Sequence, residues 1–163
     1  MKKVILLSAF AASVAAVKAA DEPFFQASLT PDIAIQNKST RISGICLSIW
    51  GENPQSAFAL GFINGSSGDS KGFSWGLANY ADNYTGVHWS IVNVAKGTFV
   101  GWQSGMVNYA KEFHGLQLGF VNVAETLKNG VQIGFVNVAL NNAWFSEFPN
   151  QLAKGFPIVN WSF

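Results

Sequence analysis

The chain has 163 residues, of which 49% are apolar and 14% aromatic, while only 12% are charged, against a usual ~25%. Its net charge of +1 and lone Cys46 exclude a polyanion-binding basic protein and an internal disulfide framework. The length is that of one domain.

In chain order, the first segment reads as an export leader. Lys2 and Lys3 are followed by an apolar run from Val4 to Val17, and Val17-Lys18-Ala19 fits a small-x-small cleavage site. Residues 1–20 are therefore expected to be a signal peptide cut after Ala19 or Ala20. Its loss removes three of ten basic residues and leaves seven against nine acidic ones, a formal charge of −2. No basic patch for nucleic acid remains.

Residues 21–40 read as a lead-in, with one possible strand over 32–36. Regular patterning fills 41–163. Strands are expected at 41–50, 57–64, 72–80, 86–94, 100–109, 115–123 and 130–138, then at 155–163 after a longer connection. Their period is two: Leu116, Leu118 and Phe120 alternate with Gln117, Gly119 and Val121, and Val131, Ile133 and Phe135 with Gln132, Gly134 and Val136. The runs belong to a repeat whose asparagines fall at 64, 79, 93, 108, 122 and 137, in steps of 15, 14, 15, 14 and 15. Every charge from Gly72 to Ala139 lies between runs: Asp82, Lys96, Lys111, Glu112, Glu125 and Lys128.

An exported chain poor in charge, with no mature stretch of 18 apolar residues, points to strands in a bilayer, because strands facing lipid exclude charge at a cost of about 2–4 kcal/mol per buried Lys or Arg. The expected fold is an all-β antiparallel meander, closed as a small outer-membrane-type β-barrel of about eight strands (ten if 21–40 contributes). Leu116, Leu118 and Phe120 would face lipid, Gln117 and Gly119 a narrow lumen. The alternating 15/14 steps fit a meander, whose successive turns lie at opposite ends. The rival is a secreted or cell-surface β-solenoid binding an envelope or host partner through stacked Asn and Gln ladders.

Three features carry a family likeness: the Gly-x-Gln-x-Gly-x-x-Asn-x-Ala repeats, the connector Phe148-Pro149-Asn150-Gln151-Leu152-Ala153-Lys154-Gly155, and the ending Val159-Asn160-Trp161-Ser162-Phe163. With these the chain resembles a family of bacterial surface-repeat proteins. The terminal Phe163 on an alternating strand also resembles the assembly signal of outer-membrane barrels. The likeness implies an exported, surface-associated protein in the outer membrane or at the surface of a Gram-negative-type cell. Its implied partners are the lipid bilayer and the barrel-assembly machinery. It carries no activity and no catalytic residues.

The chemistry-bearing residues support the same reading. His88 takes the Gln place of its repeat and is expected to fill the interior. His114 sits in a turn beside Glu112, and no second His or Cys stands at zinc-ligand spacing. Ser74, Ser90 and Ser104 have no Asp/His arrangement of a triad. No catalytic, cofactor or metal site is expected. The aromatic 144–148 loop, with Trp144, Phe145 and Phe148, is the expected contact surface.

Overall fold

The computed structural model describes residues 22–163; the leader expected at 1–20 lies outside them. The described chain is all β: β1 (Phe25–Thr30), β2 (Ile33–Ala34), β3 (Ile45–Asn53), β4 (Ser56–Trp75), β5 (Ala78–Trp89), β6 (Val92–Ala139) and β7 (Gly155–Ser162). The 48-residue β6 would reach roughly 160 Å if straight, at ~3.3 Å per residue. It instead winds back over itself, as the bond from Gln117 Nε2 to Gln103 Oε1 shows.

Register identifies the fold. β3 with β4, β4 with β5, and β5 with β6 all pair in parallel, with Asn64 opposite Asn79, Asn79 opposite Asn93 and Gly86 opposite Gly101. A parallel neighbour 14 or 15 residues along the same winding chain means that each repeat is one full coil. The molecule is a β-solenoid. This overturns the antiparallel meander, the eight- or ten-stranded barrel and the transmembrane strands expected above. Period two and excluded charge are common to a barrel stave and a solenoid wall, so neither could separate them. Asn122 lies inside the stack, fully buried.

The 15/14 alternation has a local cause. Ser66, Ala81 and Ala95 lie over one another, as do Ser70, Tyr84 and Phe99. Between these two rows the coils carry four steps (Ser66 to Ser70), three (Ala81 to Tyr84) and four (Ala95 to Phe99). The pairing register shifts at this corner, between Ser66 and Asp69 and between Ala81 and Tyr84. The extra residue is absorbed at this bend, with Gly68 at φ 58°; in the last long coil it falls one corner later, between Leu127 and Gly130, with Asn129 at φ 46°. The alternation therefore records corner length, not strand direction.

Inside, each coil contributes four inward positions. The Gln position holds His88, Gln103, Gln117 and Gln132; the Asn position holds all six repeat asparagines from Asn64 to Asn137; all are at most 3% exposed. An alanine row (Ala81, Ala95, Ala110, Ala124, Ala139) and the row Tyr84, Phe99, Phe113, Leu127 complete the core. The rings of Tyr84, Phe99 and Phe113 stack at 5.7 Å between successive centroids. Gly86, Gly101 and Gly115 turn the third corner at φ 139°, 133° and 121°, a region that residues with a Cβ rarely adopt. A Cβ at Gly101 would also collide with the Gly86 carbonyl of the coil beneath.

Both ends are closed by a change of direction. At the N-terminal end β1 stacks in parallel on β3, with Gln26 opposite Cys46, and β2 then folds antiparallel against β1. At the other end β7 lies antiparallel on the last coil of β6, with Gly130 opposite Ser162 and Val138 opposite Gly155. Terminal coils that differ from the repeat shield the stack from further strand addition.

Candidate interaction surface

The amide ladders come first, because the partner-binding solenoid envisaged above would use them. Each asparagine Nδ2 donates to the Oδ1 of the next coil: Asn64 to Asn79, then on through Asn93, Asn108 and Asn122 to Asn137, at 2.8–3.1 Å. The Nδ2 of Asn64, Asn93, Asn108 and Asn122 also donates to the backbone carbonyl eleven or ten residues ahead. The ladder is closed at both ends. Ser48 Oγ donates to Asn64 Oδ1, and Asn137 Nδ2 donates to the Phe156 carbonyl of β7. The glutamine ladder runs the opposite way, Gln132 to Gln117 to Gln103, at 2.8 Å. The two rows of amide dipoles thus oppose each other. Both are sealed within the core, so they hold coils together and cannot be the contact surface.

His88 interrupts the glutamine row. Fully buried between Tyr84 and Phe99, with ring centroids at 4.2 and 4.9 Å, it has no hydrogen-bond partner on either ring nitrogen. Burial lowers its pKa to about 3, so it is neutral at any ordinary pH. The other residues weighed for chemistry do not converge. Ser74 is buried with its Oγ 3.0 Å from the Tyr84 hydroxyl, Ser90 bonds Asn93 and the Val92 carbonyl, and Ser104 faces outward, half-exposed. His114 Nε2 lies 3.1 Å from Glu112 on the polar corner; this contact and Lys128 hold the Glu112 carboxyl below its ordinary range. Among the described residues no three His, Cys, Asp or Glu side chains gather as for a metal ion. Cys46 is buried and its thiol is pushed up to about 12 by desolvation.

The outside is divided sharply. Asp82, Lys96, Lys111 and Glu125 share one stacked position at the corner that follows the Ala row, with Glu112 beside them and Lys71, His114 and Lys128 just beyond. The charges seen between runs in the sequence are thus all on one side of the solenoid. Exposed ion pairs join Lys96 to Asp82 and Lys128 to Glu112 across coils, each worth little alone.

The opposite corner is apolar. It is built where alternation breaks: after the second glycine position of each repeat (Ser90 in one of them), two consecutive side chains point outward instead of one. These pairs are Phe62-Ile63, Leu77-Ala78, Ile91-Val92, Met106-Val107, Phe120-Val121 and Phe135-Val136. The first member is 49–69% exposed in every pair. Phe120 and Phe135 stack at 5.0 Å and 5°. Val121 is thus not turned inward as strict alternation required. The doubled apolar residue before each repeat Asn was the signal for this ridge, and it is legible in every repeat.

No protein-family model, curated protein or solved structure matches this chain.

The ridge has aromatic flanks. On the glycine side lie Trp75 and Trp89, 57% and 52% exposed, with Trp102 6.4 Å from Trp89. On the other side lie Tyr80 and Tyr109, whose hydroxyls donate to Glu52 and Glu125 respectively. The 144–148 loop lies at the C-terminal end of this same surface. Phe148 packs on Trp161, which sits opposite Val131 and so extends the outward row of Trp102, while Trp144 is 60% exposed. The loop expected to be the contact surface is one end of a longer apolar surface.

Proposed function

We propose that this chain is an exported, non-catalytic binding protein of the cell envelope or cell surface, and that the apolar ridge and its aromatic flanks are its binding surface. The observation that carries the reading is the segregation of the outer surface. A row of half-exposed aliphatic and aromatic side chains runs from coil to coil without one charge, while the ionised residues from Asp82 to Lys128 stack at the far corner. The largest contiguous apolar patch on a protein surface is often functional, above all when polar residues rim it. Export rests on the leader-like residues 1–20, and surface association accords with the likeness to surface-repeat proteins.

The test is cellular. Full-length protein and a triple variant, Ile91→Glu, Met106→Glu and Phe120→Glu, are expressed and the cells fractionated. All three side chains point outward, so the variant is expected to keep the circular-dichroism spectrum of the wild type. Wild-type protein should follow the envelope and the variant should move to the soluble fraction. Equal distribution of two folded proteins would refute the reading.

A further inference from the structure

The ridge has a shape and chemistry that choose between partners. Resting on the binding role proposed above, we infer that the occupant is the interfacial region of a lipid bilayer, which the solenoid meets side-on. The ridge of Phe62, Leu77, Ile91, Met106, Phe120 and Phe135 enters the acyl boundary, and Trp75, Trp89, Tyr80 and Tyr109 lie at the headgroup level.

Three observations favour lipid over a second copy or another protein. The first is area. With coils ~4.8 Å apart, the ridge is roughly 30 Å long and about 10 Å wide, a footprint on the order of 300–400 Å², whereas a stable protein interface covers about 800 Å² on each partner. Because two successive side chains point outward at the bend, the ridge is convex. Two convex ridges cannot lie flat on each other to gain the missing area.

The second is register. Protein interfaces carry about one hydrogen bond per 100–200 Å², and these fix the relative position of the partners. The ridge positions carry no side-chain donor or acceptor. A surface that repeats at each coil offers a rigid partner many equivalent offsets and nothing to select among them. A fluid hydrocarbon layer needs no register.

The third is the arrangement of the flanks. Trp and Tyr prefer the bilayer–water boundary, where the ring is half in hydrocarbon and its polar atom stays wet. Here they border an interior of Phe, Ile, Leu, Met and Val on both sides. The Tyr109 hydroxyl points away from the ridge, toward Glu125 of the charged corner, so its ring presents the apolar edge to the ridge side. The Tyr80 ring lies along the stack over Gly65, its hydroxyl held between Glu52 and the Trp50 indole. Interfacial elements bury their apolar side about 5–10 Å into the headgroup and acyl boundary, a depth one layer of side chains can fill without immersing the charged corner. Cations are not clustered on the ridge, so the attraction is apolar and should respond little to salt or to anionic lipid.

The experiment is vesicle flotation of the mature chain, residues 21–163, with phosphatidylethanolamine/phosphatidylcholine vesicles, with and without phosphatidylglycerol and at low and high salt. Wild-type protein should float with both vesicle types at both salt levels, with a blue shift of its tryptophan emission. Met106→Glu should weaken partitioning by about tenfold or more, and Lys111→Glu on the far corner should leave it unchanged. Failure to float would overturn the inference, as would equal flotation of wild type and Met106→Glu. If flotation fails while the triple variant still leaves the envelope fraction, the binding role stands and its partner is a protein. A wild-type dimer in solution that Met106→Glu dissociates, with no flotation, would assign the ridge to a second copy and equally overturn the lipid assignment.

Discussion

The two halves of the solenoid solve the same packing problem differently. From Gly101 onward the Gln position is filled by Gln103, Gln117 and Gln132 in an unbroken amide ladder. Before it, the same row reads Cys46, Ala59, Ser74 and His88. The early coils lose the ladder and replace it piecemeal. Tyr84 reaches across to Ser74, Gln26 donates to Asn53 and to the Gln36 carbonyl, and a cavity of about 10 Å³ remains beside Cys46 and Ser28. The Ser28 hydroxyl and both His88 nitrogens lack partners there. The Asn row, by contrast, is unbroken from Asn64 to Asn137 and stops only in the β3 coil, where Gly51 lies opposite Asn64 and Ser48 Oγ supplies the hydrogen bond. An inward amide is given up in this molecule where a neighbouring side chain takes over its volume or its bonds.

That contrast can be broken experimentally. The largest effect is expected at Asn122, which accepts from Asn108 and donates to Asn137 and to the Ile133 carbonyl. Asn122→Ala strands a buried acceptor on Asn137 and opens a void, and should cost about 3 kcal/mol in urea unfolding. A loss below that of the Ser74 variant described below would mean that the two rows are equally dispensable.

Next in size is the pH dependence at His88. Its folded pKa, about 3, lies below the ordinary ~6.5 of an unfolded histidine. The unfolded chain therefore binds the extra proton first as pH falls. Stability is whole above pH ~6.5 and is lost progressively down to pH ~3. His88→Gln can rejoin the ladder beneath Gln103 and removes this proton. Relative to wild type, its stability should gain about 2 kcal/mol between pH 7 and pH 5. A pH-independent difference between the two proteins would show that His88 is not buried neutral.

Ser74→Ala, in the irregular half, removes one hydroxyl contact and leaves the Tyr84 hydroxyl without it. It should cost about 1 kcal/mol, well below Asn122→Ala. Smallest is the expectation for Cys46. Its thiol, pushed up by burial, should react with a thiol-specific reagent only as fast as the N-terminal coils open. Labelling at the rate of a free thiol would place this half in a looser state than its backbone register implies.

Much was legible in the residues themselves. Period two at Leu116, Leu118 and Phe120, the placement of every charge from Asp82 to Lys128 between runs, and the interior position of Gln117 and His88 all follow from side-chain alternation. The doubled apolar pair Phe120-Val121 was legible too, but was misassigned because strict alternation was carried through a corner. The 144–148 loop was legible as an aromatic connection, without the apolar ridge it extends.

The sequence by itself determined that the chain is made of near-identical strand units with one charged edge and one apolar edge, because these depend on which residues neighbour each other along the backbone. Whether a unit reverses to pair antiparallel with its neighbour, or turns around to lie above it, depends on the angles at the corners. Those angles are set by Gly86, Gly101 and Gly115 at positive φ and by the carbonyls they approach across coils. A glycine in a strand is written the same way whether it bends a barrel wall or turns a solenoid. Only the tertiary structure brings Asn64 over Asn79, and with that contact it decides between a barrel around a lumen and a coil around an amide ladder.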